Sequence, residues 1–247
     1  MLTKKVIAVL AGIFMLILSA GATQQGKHVL SGRRAAFIRS FTPYIASANL
    51  KIHQQRTKLF GITEYYNRTG YMTIESRNWI QTIAAEYEVE WSLENGSFDE
   101  IASAVLDELW IRVDVVPLKL VLAQAIIETG WGKSKAAQST HNYFGITQYG
   151  SGGRKVTQST TRTYFLREYA SINEGVEHYL WVLNTRNSYR VFREMRALYR
   201  KNEWPLTAQH LSKGLINYSE LRMGYVAKLN FLIRKYLRSE YHPFVQG

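Results

Sequence analysis

The chain has 247 residues, no cysteine, 31 Lys and Arg against 19 Asp and Glu, and a formal net charge of +12. That length can bury one sizeable core with a smaller appended unit, and an aromatic content of 13% excludes a disordered tail. The lack of cysteine excludes disulfides, a thiol nucleophile and iron–sulfur ligation, while the basic balance points to an anionic partner: nucleic acid, lipid headgroups or a wall bearing carboxylates.

Met1 to Lys5 form a basic start, Val6 to Leu18 an apolar run, and Ala20-Gly-Ala22 a small-residue exit. This is the pattern of a secretory signal, either removed or kept as an inner-membrane tether through residues 6–22. Either outcome puts the rest outside the cytoplasm, expected to be the periplasm. Nucleic acid then drops out as a partner, and the wall becomes the expected polyanion. Residues 23–32 read as a flexible start. From Arg33 to Arg56, Phe37, Phe41, Ile45, Ala48 and Ile52 keep helical spacing, with Pro43 expected to kink or break the helix. A second helix is predicted over Ser76 to Glu88. Together these make an N-terminal helical extension over residues 23–95, which carries no recognisable chemistry.

Asn95-Gly96 signals a turn, and Ser97 to Glu100 fits a capping box ahead of a helix bearing Ile101, Ala104, Val105 and Leu109. Next comes Pro117 to Gly130. Pro suits the first turn of a helix and Gly the left-handed position past its end. Leu118, Val121, Leu122, Ala125 and Ile126 recur at i, i+3, i+4, i+7 and i+8. At the helical advance per residue, Glu128 lies about 20° from Val121, which places its carboxyl on the buried stripe. Apolar surroundings and the negative end of the helix dipole both disfavour its ionised form. A carboxylic acid still protonated near neutrality can protonate the leaving oxygen of a glycosidic bond.

Ile146 to Arg167 is rich in Gly, Thr, Val and Tyr and is predicted to form a small β-hairpin lobe. Ser171 to Glu174 is a second capping box, leading into Val176, Tyr179, Leu180 and Leu183. The last helix rests on Val226, Leu229, Ile233, Tyr236 and Leu237. No two histidines stand three or four apart, so no metal or cofactor is expected.

Five segments in register then carry a resemblance: Glu128-Thr-Gly-Trp-Gly-Lys-Ser134, Asn142-Tyr-Phe-Gly145, Phe165-Leu-Arg-Glu-Tyr-Ala-Ser171, Asn184-Thr-Arg-Asn-Ser-Tyr189 and Ile216-Asn-Tyr-Ser-Glu220. They resemble the bacterial glucosaminidase family of peptidoglycan hydrolases. The preceding Arg112-Val-Asp-Val-Val-Pro117 and the late Tyr218-Ser-Glu resemble its Bax-type subgroup in Gram-negative bacteria. The resemblance implies a mainly α (α+β), lysozyme-like fold over residues 96–247, with a helical lobe and a small β-hairpin lobe. It implies an endo-β-N-acetylglucosaminidase acting as a monomer on peptidoglycan strands. Glu128 is the implied general acid, with Tyr218 beside it. Trp131 and Phe144 either face sugar rings or belong to the core. Asn142 either contacts substrate or fixes a turn, and Tyr189 is a further candidate for the cleft. Gly130, Gly132 and Gly145 read as backbone requirements.

The family often places a second Glu in the β lobe. Here no Asp or Glu lies between Thr129 and Arg167; Arg154 to Arg162 supplies bases and hydroxyls instead. Glu168 reads as a surface residue of the strand and Glu174 as the partner in the capping box. The expected mechanism therefore has Glu128 as acid, with the 2-acetamido group of the substrate or a bound water replacing the second carboxylate. A muramidase or lytic transglycosylase with a single Glu, and a silent wall-binding adaptor, are the rival readings.

Overall fold

A computed structural model describes residues 32–91, 98–148, 154–156 and 164–237. The leader expected over residues 1–22, the turn at Asn95-Gly96 and the Ser97 cap lie outside these described residues. Residues from Gly32 onward belong to one compact unit. No helix among the described residues is long and apolar enough to cross a membrane.

The helices are α1 (Gly32–Thr69), α2 (Ile74–Glu86), α3 (Phe98–Arg112), α4 (Leu118–Thr129), α5 (Lys135–Thr140), α6 (Ile172–Thr185), α7 (Arg190–Lys201), α8 (Ala208–Leu211) and α9 (Met223–Tyr236). Between α5 and α6 lie β1 (Thr147–Gln148), β2 (Arg154–Val156) and β3 (Tyr164–Leu166), an antiparallel sheet in the order β1-β3-β2. The expected hairpin is thus three-stranded, with β3 pairing on both sides: Thr147 opposite Leu166 and Arg154 opposite the same residue.

α1 is longer than its sequence pattern suggested, and Pro43 does not end it. Pro43 is exposed, so the crowding of its ring falls on the solvent side, where a helix bends at least cost. The Thr42 hydroxyl donates to the Ile38 carbonyl at 2.7 Å and the Ser40 hydroxyl to Phe37 at 3.1 Å, tying up carbonyls in the turn before the proline. α1 packs along α6 and α4. α2 starts two residues earlier than predicted because Thr73 caps it, its hydroxyl accepting from the Ser76 N–H. Half of the second capping box forms as read, the Ser171 hydroxyl accepting from Glu174 N–H; the Glu174 carboxylate accepts instead from the N–H of Ala170, one residue before the cap, at 2.7 Å.

α4 is the central element. Leu118, Leu120, Val121, Leu122, Ala123, Gln124, Ala125 and Ile126 are all buried, so it is covered on every side rather than on one stripe. α1, α8 and α9 surround it. Its start is held by a polar knot. Asn49 of α1 donates to the Val116 carbonyl and accepts from the Val116 N–H. Two residues earlier, buried Asp114 meets Arg200 at 2.9 Å, Arg196 at 3.6 Å and Arg56 at 3.7 Å. Burial alone would push the Asp114 carboxyl up, but Arg196, Arg56 and Arg200 outweigh it and hold it below its ordinary range.

The same arginines close helix ends. Arg196 donates to the Ile111, Arg112 and Asp114 carbonyls, and Arg56 donates to Trp110 and Val113, all at the C-terminus of α3. Arg193, one turn before Arg196, donates to Leu183 and Arg186 at the end of α6. Cations at the negative ends of two helices satisfy carbonyls that have no partner within the helix.

Replacing Asp114 with Asn leaves Arg196 buried without its counter-charge and should destabilise the fold by about 3–5 kcal/mol in urea unfolding. The folded pKa of Asp114 lies below the unfolded one. Its contribution is therefore complete above the ordinary aspartate range and is lost as pH falls through the depressed value. D114N should lack that part of the acid dependence; equal midpoints for the two proteins at pH 7 would contradict the knot.

Candidate active site

Glu128 ends α4 one residue before Thr129, and Gly130 follows at φ 57°. The Gly130 N–H returns to the Ile126 carbonyl. The Thr129 hydroxyl donates to Ala125 and accepts from the Gly132 N–H at 2.8 Å. This closed turn fixes the carboxyl's direction. The expectation that Glu128 lies on a buried stripe is corrected: α4 is buried nearly all round, and Glu128 is where it emerges, exposed to solvent. Ala125, one turn earlier, is wholly buried. Only the helix end breaks the surface.

Exposure does not leave the carboxyl in a water-like setting. Desolvation by the surrounding protein raises its pKa, opposed by a hydrogen bond from Tyr225 and by the charge of Lys228. Desolvation wins because the acid sits among phenols. Tyr225, buried on α9, donates from its hydroxyl to Glu128 Oε1 at 3.3 Å. Its ring stacks on Tyr218 at 5.0 Å, Tyr218 lies 6.1 Å from Tyr189 and 6.3 Å from Tyr179. Tyr179 and Tyr218 are pushed well above their ordinary range, and Tyr189 up to about 12, by burial first and by the nearby Glu128 in part. All of these phenols stay protonated at any working pH. Gln124, one turn before Glu128 on α4, donates to the Tyr225 hydroxyl at 3.4 Å and keeps that proton aimed at the acid.

The structure sorts the other sequence candidates. Tyr218 lies beside Glu128, but its hydroxyl donates to the Phe144 carbonyl at 2.8 Å; the phenol that touches the carboxyl is Tyr225. Tyr189 sits in the 3₁₀ turn Asn187–Tyr189, half-buried at the same cluster. Phe144 is not an open platform: it is buried and stacked 3.8 Å above Tyr179. Asn142 is also engaged within the protein. Its amide donates to the Ile146 and Arg167 carbonyls, and its oxygen accepts from Ile146 N–H, closing the loop onto β1 and β3. A direct substrate contact would have to break these bonds, so its geometry is that of the turn residue. Trp131 turns away towards α1 and α9, edge-on to Phe37 and Tyr236 with Arg34 over its face at 5.2 Å. Gly145 adopts φ 66°, which favours glycine, and a side chain there would stand 3.7 Å from Glu128 Oε2.

Glu168 is exposed just after β3. No group of three or more His, Asp or Glu that could hold a metal occurs among the described residues. Sequence reasoning missed Tyr225. The signal was present: Tyr225 shares its helix face with Leu229 and Ile233, at i+4 and i+8.

Residues 103–238 match a family model described as glucosaminidase, mannosyl-glycoprotein endo-beta-N-acetylglucosaminidase. Protein bax of Escherichia coli K12 is 33% identical over 193 residues, which cover 78% of this chain and 66% of that protein. Among solved structures, the catalytic domain of the autolysin Auto from Listeria monocytogenes is 16% identical, covering 96% of this chain and 95% of that one at a TM-score of 0.43. A C-terminally truncated glycoside hydrolase domain of Salmonella typhimurium FlgJ is 22% identical, covering 51% and 86% at 0.37.

Because the Tyr225 hydroxyl favours the ionised form of Glu128, Y225F should raise the Glu128 pKa further. Titration of the Glu128 side-chain carboxyl by carbon NMR reads this directly. A midpoint that falls or stays put would show that the phenol does not donate to the acid.

Proposed function

Because the chain belongs to the glucosaminidase family, we propose that it hydrolyses a β-1,4 bond in the GlcNAc–MurNAc glycan of peptidoglycan, as an endo-β-N-acetylglucosaminidase. The observation that carries the reading is the single carboxyl, Glu128, raised in pKa and ringed by phenols at the end of the central helix. The substrate lies outside the cytoplasm, which fits a leader over residues 1–22 and a periplasmic site of action.

In this reading Glu128 donates its proton to the glycosidic oxygen as the bond to the anomeric carbon breaks. The acetamido carbonyl oxygen of the same sugar attacks that carbon, giving a cyclic oxazolinium and the freed glycan end. Glu128, now a carboxylate, takes a proton from water while the water oxygen opens the ring, which restores both the acetamido group and the acid. No second carboxylate is needed. Tyr225 shares its proton with Glu128 in the ionised half of the cycle. Tyr218 holds the Phe144 carbonyl, and with it the loop that passes the acid. Tyr189 offers a neutral donor to the sugar.

Glu128→Gln should lower turnover of isolated wall about a thousand-fold while leaving the fold and wall binding intact. Mass spectrometry of the digest identifies the bond: reducing GlcNAc ends are expected. Reducing MurNAc or anhydro-MurNAc ends would replace this reading with a muramidase or a lytic transglycosylase. Turnover undiminished in E128Q would remove Glu128 from the chemistry.

A further inference from the structure

A cavity of about 580 Å³ lies between the N-terminal half of α1 and the loop that follows Glu128. That volume suits a small ligand. Half of its lining residues come from α1, between Arg33 and Tyr44, outside the 103–238 segment matched by the family model. The family domain alone does not build this site.

Its charged groups are all cations, with Ser40 and Gln138 as further polar lining residues. Phe37 and the edge of Trp131 form an apolar wall. Arg33 and Lys133 stand exposed at the rim. Tyr44 and Tyr143 contribute phenols, and burial together with Tyr44 raises the Tyr143 hydroxyl, so it stays a neutral donor. Among the described residues lining the cavity there is no Asp or Glu. A neutral sugar offers many hydroxyl protons and is best met by carboxylate or amide acceptors. The one amide in the lining, Gln138, already spends a proton on the Gly132 carbonyl at 2.7 Å, and beside two cations, two phenols and aromatic walls it leaves the cavity suited to an anion with an apolar body that carries amide groups. Trp131 is three residues beyond Glu128, at most about 11 Å along the chain. A ligand here is therefore within reach of a short branch on a glycan strand presented to the acid.

We propose that this cavity binds the carboxylate-bearing stem peptide of the same peptidoglycan strand that Glu128 cuts. The inference rests on the proposed hydrolase reading and names what the enzyme recognises beyond the sugar. The stem carboxylate pairs with Arg33 and Lys133, its apolar side chains lie against Phe37 and Trp131, and Tyr44 and Tyr143 donate to its amide carbonyls. Wall that keeps its stems should then be held better than bare glycan.

The test uses the full chain and two substrates: peptidoglycan with its stems, and the same glycan stripped of them by an amidase. KM for the stem-bearing wall should be about ten-fold lower than for bare glycan, and in the R33Q/K133Q double variant the two should come within about two-fold of each other. Equal KM values in the native protein, or an equal loss on both substrates in the variant, would overturn the proposal. If the native protein cut neither substrate, the hydrolase reading would fail, and a second measurement would still decide the site. Free stem tetrapeptide titrated into E128Q should shift the Trp131 indole N–H resonance, and the shift should disappear when R33Q/K133Q is added to that protein. No shift in either protein would remove the stem site.

Discussion

The fold turns on Asp114. A carboxylate this deep is tolerable only because three guanidinium groups reach it, and each comes from a helix that must be placed for the purpose: Arg56 from α1, Arg196 and Arg200 from α7. Arg56 and Arg196 also donate to carbonyls at the end of α3. The knot therefore fixes the end of one helix and, six residues on, the start of α4. From Leu118 to Glu128 a rigid helix runs about 15 Å. The position of Glu128 is set at the far end of that rod, by groups that do not touch its carboxyl. The Arg112 to Pro117 segment, which carried part of the family resemblance, contains this buried carboxylate.

The same knot changes the meaning of the net charge. Read from composition, the excess of Lys and Arg describes an outer surface meeting an anion. In the structure Arg193 and Arg196 are buried, and they cap helix ends or neutralise Asp114. Composition cannot separate such internal cations from surface ones. The pattern along α7 could have hinted at it, because Arg193 and Arg196 lie one turn apart on the same side as buried Phe192, a face where a solvated arginine would be out of place.

Helices with regular apolar spacing were legible: α4, α6 and α9 all lie where periodicity put them, and the glycine past α4 adopts the left-handed conformation its type suggested. Two things were not. Pro43 looked like a boundary because its local penalty is certain, while the packing that carries α1 through it involves partners far away in sequence. The β lobe looked like a hairpin because only neighbouring strands can be paired by turn signals; the pairing of β1 with β3 is not local. At the site, Glu128 was singled out by the segments that follow it, because helix geometry placed it on a buried stripe and the structure shows it exposed at the helix end. The motif Asn142-Tyr-Phe-Gly145 could not be divided by sequence into residues that shape the loop and residues that reach a ligand. The structure divides it. Asn142 ties the loop, Phe144 packs behind it with its carbonyl on Tyr218, and Gly145 passes beside the carboxyl.

The phenols around Glu128 resolve a conflict built into one-carboxylate catalysis. The proposed acid must hold a proton before bond cleavage and accept one after it, so its pKa has to rise without becoming fixed in the neutral form. A second carboxylate nearby would raise it through like charge, and full burial would raise it further still. Tyrosine does neither. Its ring removes water, which lifts the pKa of the acid, and its hydroxyl can still donate to the ionised carboxylate, as Tyr225 does, which limits the rise. Burial first, and the charge of Glu128 in part, keeps the phenols protonated, so the donors persist through both halves of the proposed cycle. In the proposed mechanism, neutral walls that can still donate a hydrogen bond are what would let one side chain act in turn as acid and as base.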